Sequence, residues 1–113
     1  MTSESCPELP AHEALRLAAG GAGILDVRDP DEWAAGHAPL ALHVPLEQLS
    51  TARTPNWRTQ PVIVLCRSGS RARTATCLLR NRGVEAFIVR GGMQAWSQAG
   101  GRVLADHGVG RVA

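Results

Sequence analysis

The chain has 113 residues, of which 44% are hydrophobic, and its 12 basic and 10 acidic residues give a formal net charge of +2. This length and apolar content predict one folded domain rather than a disordered chain, and no apolar run reaches the ~20 residues of a membrane-spanning helix. The charges are small in sum and dispersed, which is typical of neither a nucleic-acid-binding nor a membrane-binding surface.

Helix-like and strand-like segments alternate along the chain. Strands are predicted at short apolar runs with β-branched residues, and helices where apolar residues recur every three or four positions. Asp29, followed by Pro30 and two acidic residues, is a favourable helix start. The predicted elements are a helix at 11–19, a strand at 23–27, a helix at 29–36, a strand at 43–45, a helical turn at 46–49, a loop at 50–60, a strand at 61–66, a helix at 71–82, a strand at 86–89 and a helix at 93–98.

This alternation predicts an α/β fold with a mostly parallel central sheet of about five short strands and helices on both faces. We assign the domain to residues 10–104, with loose tails at 1–9 and 105–113. The N-terminus has no basic stretch and no apolar segment of a secretory signal, so we expect a cytoplasmic protein.

The most informative stretch is CRSGSR at 66–71, between a predicted strand and a predicted helix. Ligands of open α/β sheets bind at the carboxyl ends of the strands. Backbone N–H groups and a helix N-terminus stabilise an anion there, a thiolate included, and Arg67 and Arg71 add positive charge. We therefore predict that Cys66 is a solvent-reachable nucleophile, the alternative being a buried structural cysteine.

The spacing of cysteine and arginine separates two chemistries. Phosphatases that use cysteine bind phosphate with Cys-x5-Arg, but here Ala72 stands at that position and Arg71 gives Cys-x4-Arg. A ring one residue shorter suits a single sulfur on the cysteine better than a tetrahedral phosphate. The spacing thus favours sulfur chemistry over a phosphatase or an arsenate reductase.

Taken together and in order, several motifs make the sequence similar to the rhodanese (sulfurtransferase) family over residues 10–103. They are LDVR at 25–28 with DEW at 31–33, GH at 36–37 with Pro39, VIVLCRSGSR at 62–71 and GGMQAW at 91–96. The resemblance implies that the active loop begins at the catalytic cysteine, which is Cys66. It also implies that the rest of the loop binds the substrate: Arg67, Ser68, Gly69, Ser70 and Arg71.

The resemblance implies a sulfurtransferase in which Cys66 takes the outer sulfur of thiosulfate or a persulfide and passes it to a thiol or protein acceptor. The donor is expected to be a small anion, and two arginines favour a compact dianion such as thiosulfate. No metal or organic cofactor is implied. The alternative function is a non-catalytic rhodanese-like module that docks a protein partner.

Leu40 departs from the family pattern, because the turn after His37 and Pro39 usually contains a glycine at this position. If that glycine has a positive φ, Leu40 is expected to force a different turn. The departure concerns the local loop and not the identity of the nucleophile.

Four polar residues near the predicted strand ends are ambiguous. Asp26 and Arg28 either line the mouth of the site or form an ion pair that holds the strand end, and we favour the ion pair. His37 and His43 fit no metal-binding pattern, so we expect structural roles.

The three cysteines, Cys6, Cys66 and Cys77, are odd in number and lack metal-site spacing, so we expect neither a disulfide framework nor a zinc site, and a reducing compartment. Cys77 is predicted to face away from the core and to lie too far from Cys66 for a disulfide. Cys6 is expected to be a bystander in a mobile tail.

The helix at 71–82 is expected to bury Ala72, Ala75, Leu78 and Leu79. Trp33 and Trp96 are expected to pack in the fold, and the role of Trp57 is left undecided.

Overall fold

The computed structural model describes residues 6–67, 70–105 and 108–112. A five-stranded sheet with the strand order β1-β5-β4-β2-β3 forms its centre, and a two-stranded hairpin, β6-β7, lies apart from it. The strands are β1 (Glu8–Leu9), β2 (Gly23–Asp26), β3 (Leu42–His43), β4 (Val62–Leu65), β5 (Ala86–Val89), β6 (Leu104–Ala105) and β7 (Gly108–Val109). The helices are α1 (Ala11–Ala19), α2 (Pro30–Ala35), α3 (Ser70–Asn81) and α4 (Gly92–Gln98), with a 3-10 turn at Leu46–Gln48.

Every pairing in the five-stranded sheet is parallel. The central strand β4 pairs with β2, where Val64 lies opposite Leu25, and with β5, where Val64 lies opposite Ile88. All four residues of β4 are buried, which explains why its sequence is continuously apolar rather than alternating. The predicted α/β fold with a parallel sheet is confirmed.

The sheet separates two apolar clusters, and successive residues of β4 point into opposite ones. Val62, Val64 and Cys66 lie in the cluster that contains the buried face of α3. Ile63 and Leu65 lie in the cluster that contains residues of α1 and α4. Cys66 therefore shares its side of the sheet with α3, the helix that follows it in the chain.

The chain ends differ from the loose tails that the sequence predicts. Ile88 N donates to Pro7 O at 2.9 Å and Arg90 N donates to Leu9 O at 2.8 Å, so β1 forms an edge strand. At the other end, β6 and β7 pair antiparallel, and Leu104 also exchanges two backbone hydrogen bonds with His37. Each of these strands has only two residues, which is too short for an apolar pattern to predict. They become strands only because a partner segment pairs with them.

The expectation that the chain has no disulfide is wrong: Cys6 and Cys77 form one, with their Cα atoms 5.8 Å apart. It joins the segment before β1 to the middle of α3. The expectation that Cys77 faces away from the core is also wrong: it is partly buried and packs against the cluster on the α3 side of the sheet, which includes the buried Cys6. The helical pattern of α3 cannot show this, because Cys6 reaches the helix only through tertiary packing.

Two further side chains, both in α3, differ from the sequence-based expectations. In α3, Thr76 is fully buried, whereas Leu78 is only partly buried. Trp57, left undecided, is buried against β2, where a Cβ at Gly23 would lie 2.7 Å from its indole nitrogen.

Within the described ranges, no helix has the length and apolar content needed to cross a bilayer.

Leu40 adopts the left-handed conformation itself, with φ +66°, although this conformation was expected to be avoided by a leucine. Its side chain is 97% exposed. The steric cost of this conformation therefore falls on the Cβ of Leu40.

Candidate active site at the carboxyl end of β4

Cys66 directly follows β4 and is buried, with 1% of its surface exposed, among the apolar residues on the α3 side of the sheet. Its place at the carboxyl end of a central strand agrees with the prediction, but its burial contradicts the expected solvent-reachable thiolate. Ser68 and Gly69, predicted to bind substrate, lie outside the described residues, as does the predicted convergence of loop amides. Arg67 and Ser70, on either side of them, are exposed.

The start of α4 supports the backbone at Cys66. Met93 N donates to Cys66 O at 2.8 Å. Gly92 has φ +59°, and a Cβ there would overlap Cys66 O and lie 2.6 Å from Arg67 O. Only glycine fits this approach, so Gly92 of the GGMQAW motif is part of the site. Its place in the motif is the sequence signal that it has a role at the site.

Arg71, in the first turn of α3, is held by α2 rather than pointing unpaired into the loop. Its Nη1 donates to Glu32 Oε1 at 2.7 Å and its Nη2 to Glu32 Oε2 at 3.0 Å. Asp29 Oδ1 lies 3.9 Å from the same Nη1. This two-point ion pair links the helix after β2 to the helix after β4.

The ion pair shifts the pKa of both partners. The hydrogen bond from Arg71 is the main reason that the pKa of Glu32 lies below its ordinary value of 4.5, although partial burial acts in the opposite direction. The hydrogen bond to Glu32 is the main reason that the pKa of Arg71 lies above its ordinary value, and the nearby carboxylate of Asp29 acts in the same direction. Arg71 is thus coupled first of all to Glu32.

The sequence of α2 places Glu32 where it meets Arg71. Asp29 caps the helix, and its backbone N donates to Glu32 Oε1 at 3.0 Å, which completes a capping box. The capping pattern was visible in the sequence, but the contact of Glu32 with Arg71 was not, because it crosses from one strand end to the next. Asp29 and Glu32 are the site residues that sequence analysis missed.

Asp26 and Arg28 form the ion pair that we favoured, and both are fully buried. Arg28 Nη2 donates to Asp26 Oδ2 at 2.7 Å and to Gly36 O at 2.7 Å, which ties the end of β2 to the end of α2. These contacts position α2 and its acidic residues at the carboxyl ends of the strands, where Cys66 also lies.

Trp33 on α2 stacks on two histidines, with ring centroids 3.7 Å from His37 and 4.7 Å from His43. His37 Nδ1 lies 2.9 Å from Trp33 O, and His43 Nε2 lies 2.8 Å from Arg28 O. Since both carbonyls can only accept, these ring nitrogens carry the hydrogen. The histidines therefore pack and bond within the fold, and among the described residues no group of three His, Cys, Asp or Glu side chains is placed to hold a metal ion.

Comparison with known proteins points to one family. A sequence model of the rhodanese-like domain matches residues 10–99. Among solved structures, the chain is similar to a rhodanese-related protein of Thermoplasma volcanium (TM-score 0.76, 25% identity, 88% of this chain and 99% of that chain). It is similar to a rhodanese-like domain protein of Staphylococcus aureus (TM-score 0.74, 25% identity, 84% and 95%). The match to Bacillus anthracis CoADR-RHD has a TM-score of 0.72 and 24% identity and covers 82% of this chain but only 17% of that longer chain.

Proposed function

Since this chain belongs to the rhodanese-like domain family, we propose that it is a sulfurtransferase that carries sulfur on Cys66. The donor is thiosulfate or a persulfide, and the acceptor is a thiol or a protein. Arg67, Ser68, Gly69, Ser70 and Arg71 are the proposed donor-binding loop, and no cofactor takes part.

The proposed reaction has two displacement steps at sulfur. The Cys66 thiolate attacks the outer sulfur of the donor, a sulfur–sulfur bond forms, and the donor's own sulfur–sulfur bond breaks with its electron pair. Thiosulfate then leaves as sulfite, whereas an alkyl persulfide leaves as a thiolate. In the second step the acceptor attacks the outer sulfur of the Cys66 persulfide and regenerates the Cys66 thiolate. Splitting the transfer in this way gives two easier steps in place of one.

The observation that carries this proposal is the position of Cys66 relative to charge. It directly follows the central strand β4 and precedes the twelve-residue α3, whose first turn carries Arg71. A cysteine thiolate and its persulfide are both stabilised by positive charge nearby.

Turnover tests the proposal. The wild-type protein is expected to convert cyanide to thiocyanate, or to form a thiol persulfide, in the presence of a sulfur donor. Cys66→Ser is expected to lose this turnover, while Cys6→Ser with Cys77→Ser keeps it. Equal turnover by wild type and Cys66→Ser would contradict the proposal.

The burial of Cys66 favours a second candidate, a non-catalytic module that docks a protein partner. In that case Cys66 is a core residue and its sulfur needs no access. Partner binding that survives Cys66→Ala, in a protein that takes up no sulfur from thiosulfate, glutathione persulfide or mercaptopyruvate, would favour the module over the enzyme.

A further inference from the structure

The charged side chains near Cys66 lie at the carboxyl ends of β2 and β4. Those after β4 are basic, and those of α2, which follows β2, are acidic. Arg67 and Arg71 flank two serines and a glycine, which carry no charge. From α2, Glu32 contacts Arg71 and Asp29 lies 3.9 Å from it. Two carboxylates therefore match the two guanidinium groups, and the exposed Asp31 of α2 adds a third negative charge.

The guanidinium of Arg71 is also occupied geometrically. Both of its terminal nitrogens donate to Glu32, one to each carboxylate oxygen. This fork is the arrangement with which arginine binds an oxyanion such as thiosulfate or sulfite. A dianion that approaches Cys66 must compete with Glu32 for Arg71 and must also approach the carboxylate of Asp29.

We propose that Glu32 and Asp29 set the donor specificity of Cys66, so that the site takes sulfur from alkyl persulfides in preference to thiosulfate. The inference rests on the proposed function and reverses the preference for a dianion that two unopposed arginines would give. In the favoured step, the Cys66 thiolate attacks the outer sulfur of R–S–SH and forms a new S–S bond, the donor's S–S bond breaks so that R–S⁻ leaves with the electron pair, and the proton stays on the outer sulfur of the new Cys66 persulfide. This step brings no sulfonate charge to Arg71.

The rate of Cys66 persulfide formation, followed by the mass of the full chain, tests the proposal with thiosulfate and cysteine persulfide as the two probes. For wild type we expect a larger second-order rate constant with cysteine persulfide, and a thiosulfate rate that does not fall as salt is added. Glu32→Gln and Asp29→Asn each remove one negative charge and are expected to raise the thiosulfate rate by about 3–10-fold. The cysteine persulfide rate is expected to change by less than about twofold, because the net negative charge of that donor is smaller than that of thiosulfate.

The amide variants are chosen to keep the fold, since Asn still caps a helix and Gln still offers an oxygen to Arg71 and to Asp29 N. Should Glu32→Gln fail to fold, Asp29→Asn alone carries the test. Glu85→Gln is the matched control, because Glu85 is exposed and precedes β5, at the opposite edge of the sheet from Cys66. It is expected to change neither rate.

Two results would overturn the inference and can be told apart. If Cys66 gains sulfur from both donors but the ratio of the rates is the same in wild type, Glu32→Gln and Asp29→Asn, the specificity proposal alone is wrong. A wild-type preference for thiosulfate that weakens with salt leads to the same conclusion. If neither donor adds sulfur to Cys66, the proposed function fails and the specificity inference fails with it.

Discussion

At the scale of single residues, Leu40 and Gly92 have left-handed backbones for different reasons. Leu40 is an exposed side chain in a turn where glycine would be relaxed. Gly92 is a buried glycine whose missing side chain makes room for the backbone of Cys66. The first is a local cost of the turn, whereas the second is a requirement of the site.

Replacing Leu40 by glycine is expected to stabilise the protein by about 0.5–1 kcal/mol. A left-handed non-glycine residue costs roughly 1–2 kcal/mol, and the greater freedom of glycine in the unfolded chain takes back part of that gain. Urea unfolding measures the difference, with Leu40→Ala as the control that keeps the Cβ and is expected to gain little. A Leu40→Gly protein no more stable than wild type would contradict the assignment of strain to this turn.

Replacing Gly92 by alanine is expected to destabilise the protein by about 2–4 kcal/mol, because the new Cβ collides with the carbonyl oxygen of Cys66. Gly83→Ala is the control: Gly83 also has a positive φ, of 86°, but a Cβ there meets no atom within 4 Å. We expect that control to cost about 1 kcal/mol, the price of the backbone conformation alone. Equal losses in the two variants, measured by urea unfolding, would show that α4 does not press against Cys66.

At the scale of elements, the ion pair between Glu32 and Arg71 joins α2 to α3 across the edge of the sheet. Folding lowers the pKa of Glu32, so the pair contributes its stability above the ordinary pKa of 4.5 and loses it as the pH falls through the lower folded value. The contribution is about 1 kcal/mol at neutral pH, since the geometry is two-pointed but part of the pair is solvated.

Glu32→Gln is therefore expected to lower the free energy of unfolding at pH 7 and to have a shrinking effect as the pH falls below about 4.5. Urea unfolding at a series of pH values measures this difference. In a background of Arg71→Gln, the Glu32→Gln change is expected to lose most of its effect, since the two residues act as a pair. An effect of Glu32→Gln that is constant with pH, or that persists without Arg71, would contradict the pairing.

The elements themselves could largely be predicted from the sequence. The helix at Ala11–Ala19 and the strand at Ala86–Val89 have the predicted bounds, because their apolar spacing and terminal glycines are local signals. β1 could not be predicted in the same way, since its two residues gain their pairing from β5. The site shows the same division: Cys66 and its place after a strand follow from local pattern, whereas Glu32, Asp29 and Gly92 reach it through tertiary packing.

At the scale of the whole molecule, the disulfide between Cys6 and Cys77 closes a long loop, because the two cysteines are 71 positions apart in the sequence. It holds edge strand β1 and helix α3 together, and Glu8 of β1 adds an ion pair with Arg73 of α3. Three cysteines in a sequence do not reveal which two are paired, so the contact depended on the fold.

Cys6→Ser combined with Cys77→Ser is expected to lower the free energy of unfolding by about 3–4 kcal/mol, because the unfolded chain regains the freedom that the cross-link removes. A reducing agent is expected to lower the stability of wild type to that of the double variant, and to leave the double variant unchanged. If the melting temperature of wild type were insensitive to a reducing agent, the disulfide would not stabilise the fold.

The most direct test of sulfur transfer is the site of sulfur uptake after incubation with a donor. Incubation with cysteine persulfide or thiosulfate, followed by intact mass and peptide mapping, is expected to show a gain of about 32 Da on Cys66, as the covalent intermediate requires. The gain is expected in the Cys6→Ser, Cys77→Ser variant and is expected to be lost in Cys66→Ser. Sulfur found on Cys6 or Cys77 but never on Cys66, or on none of the three, would contradict the account.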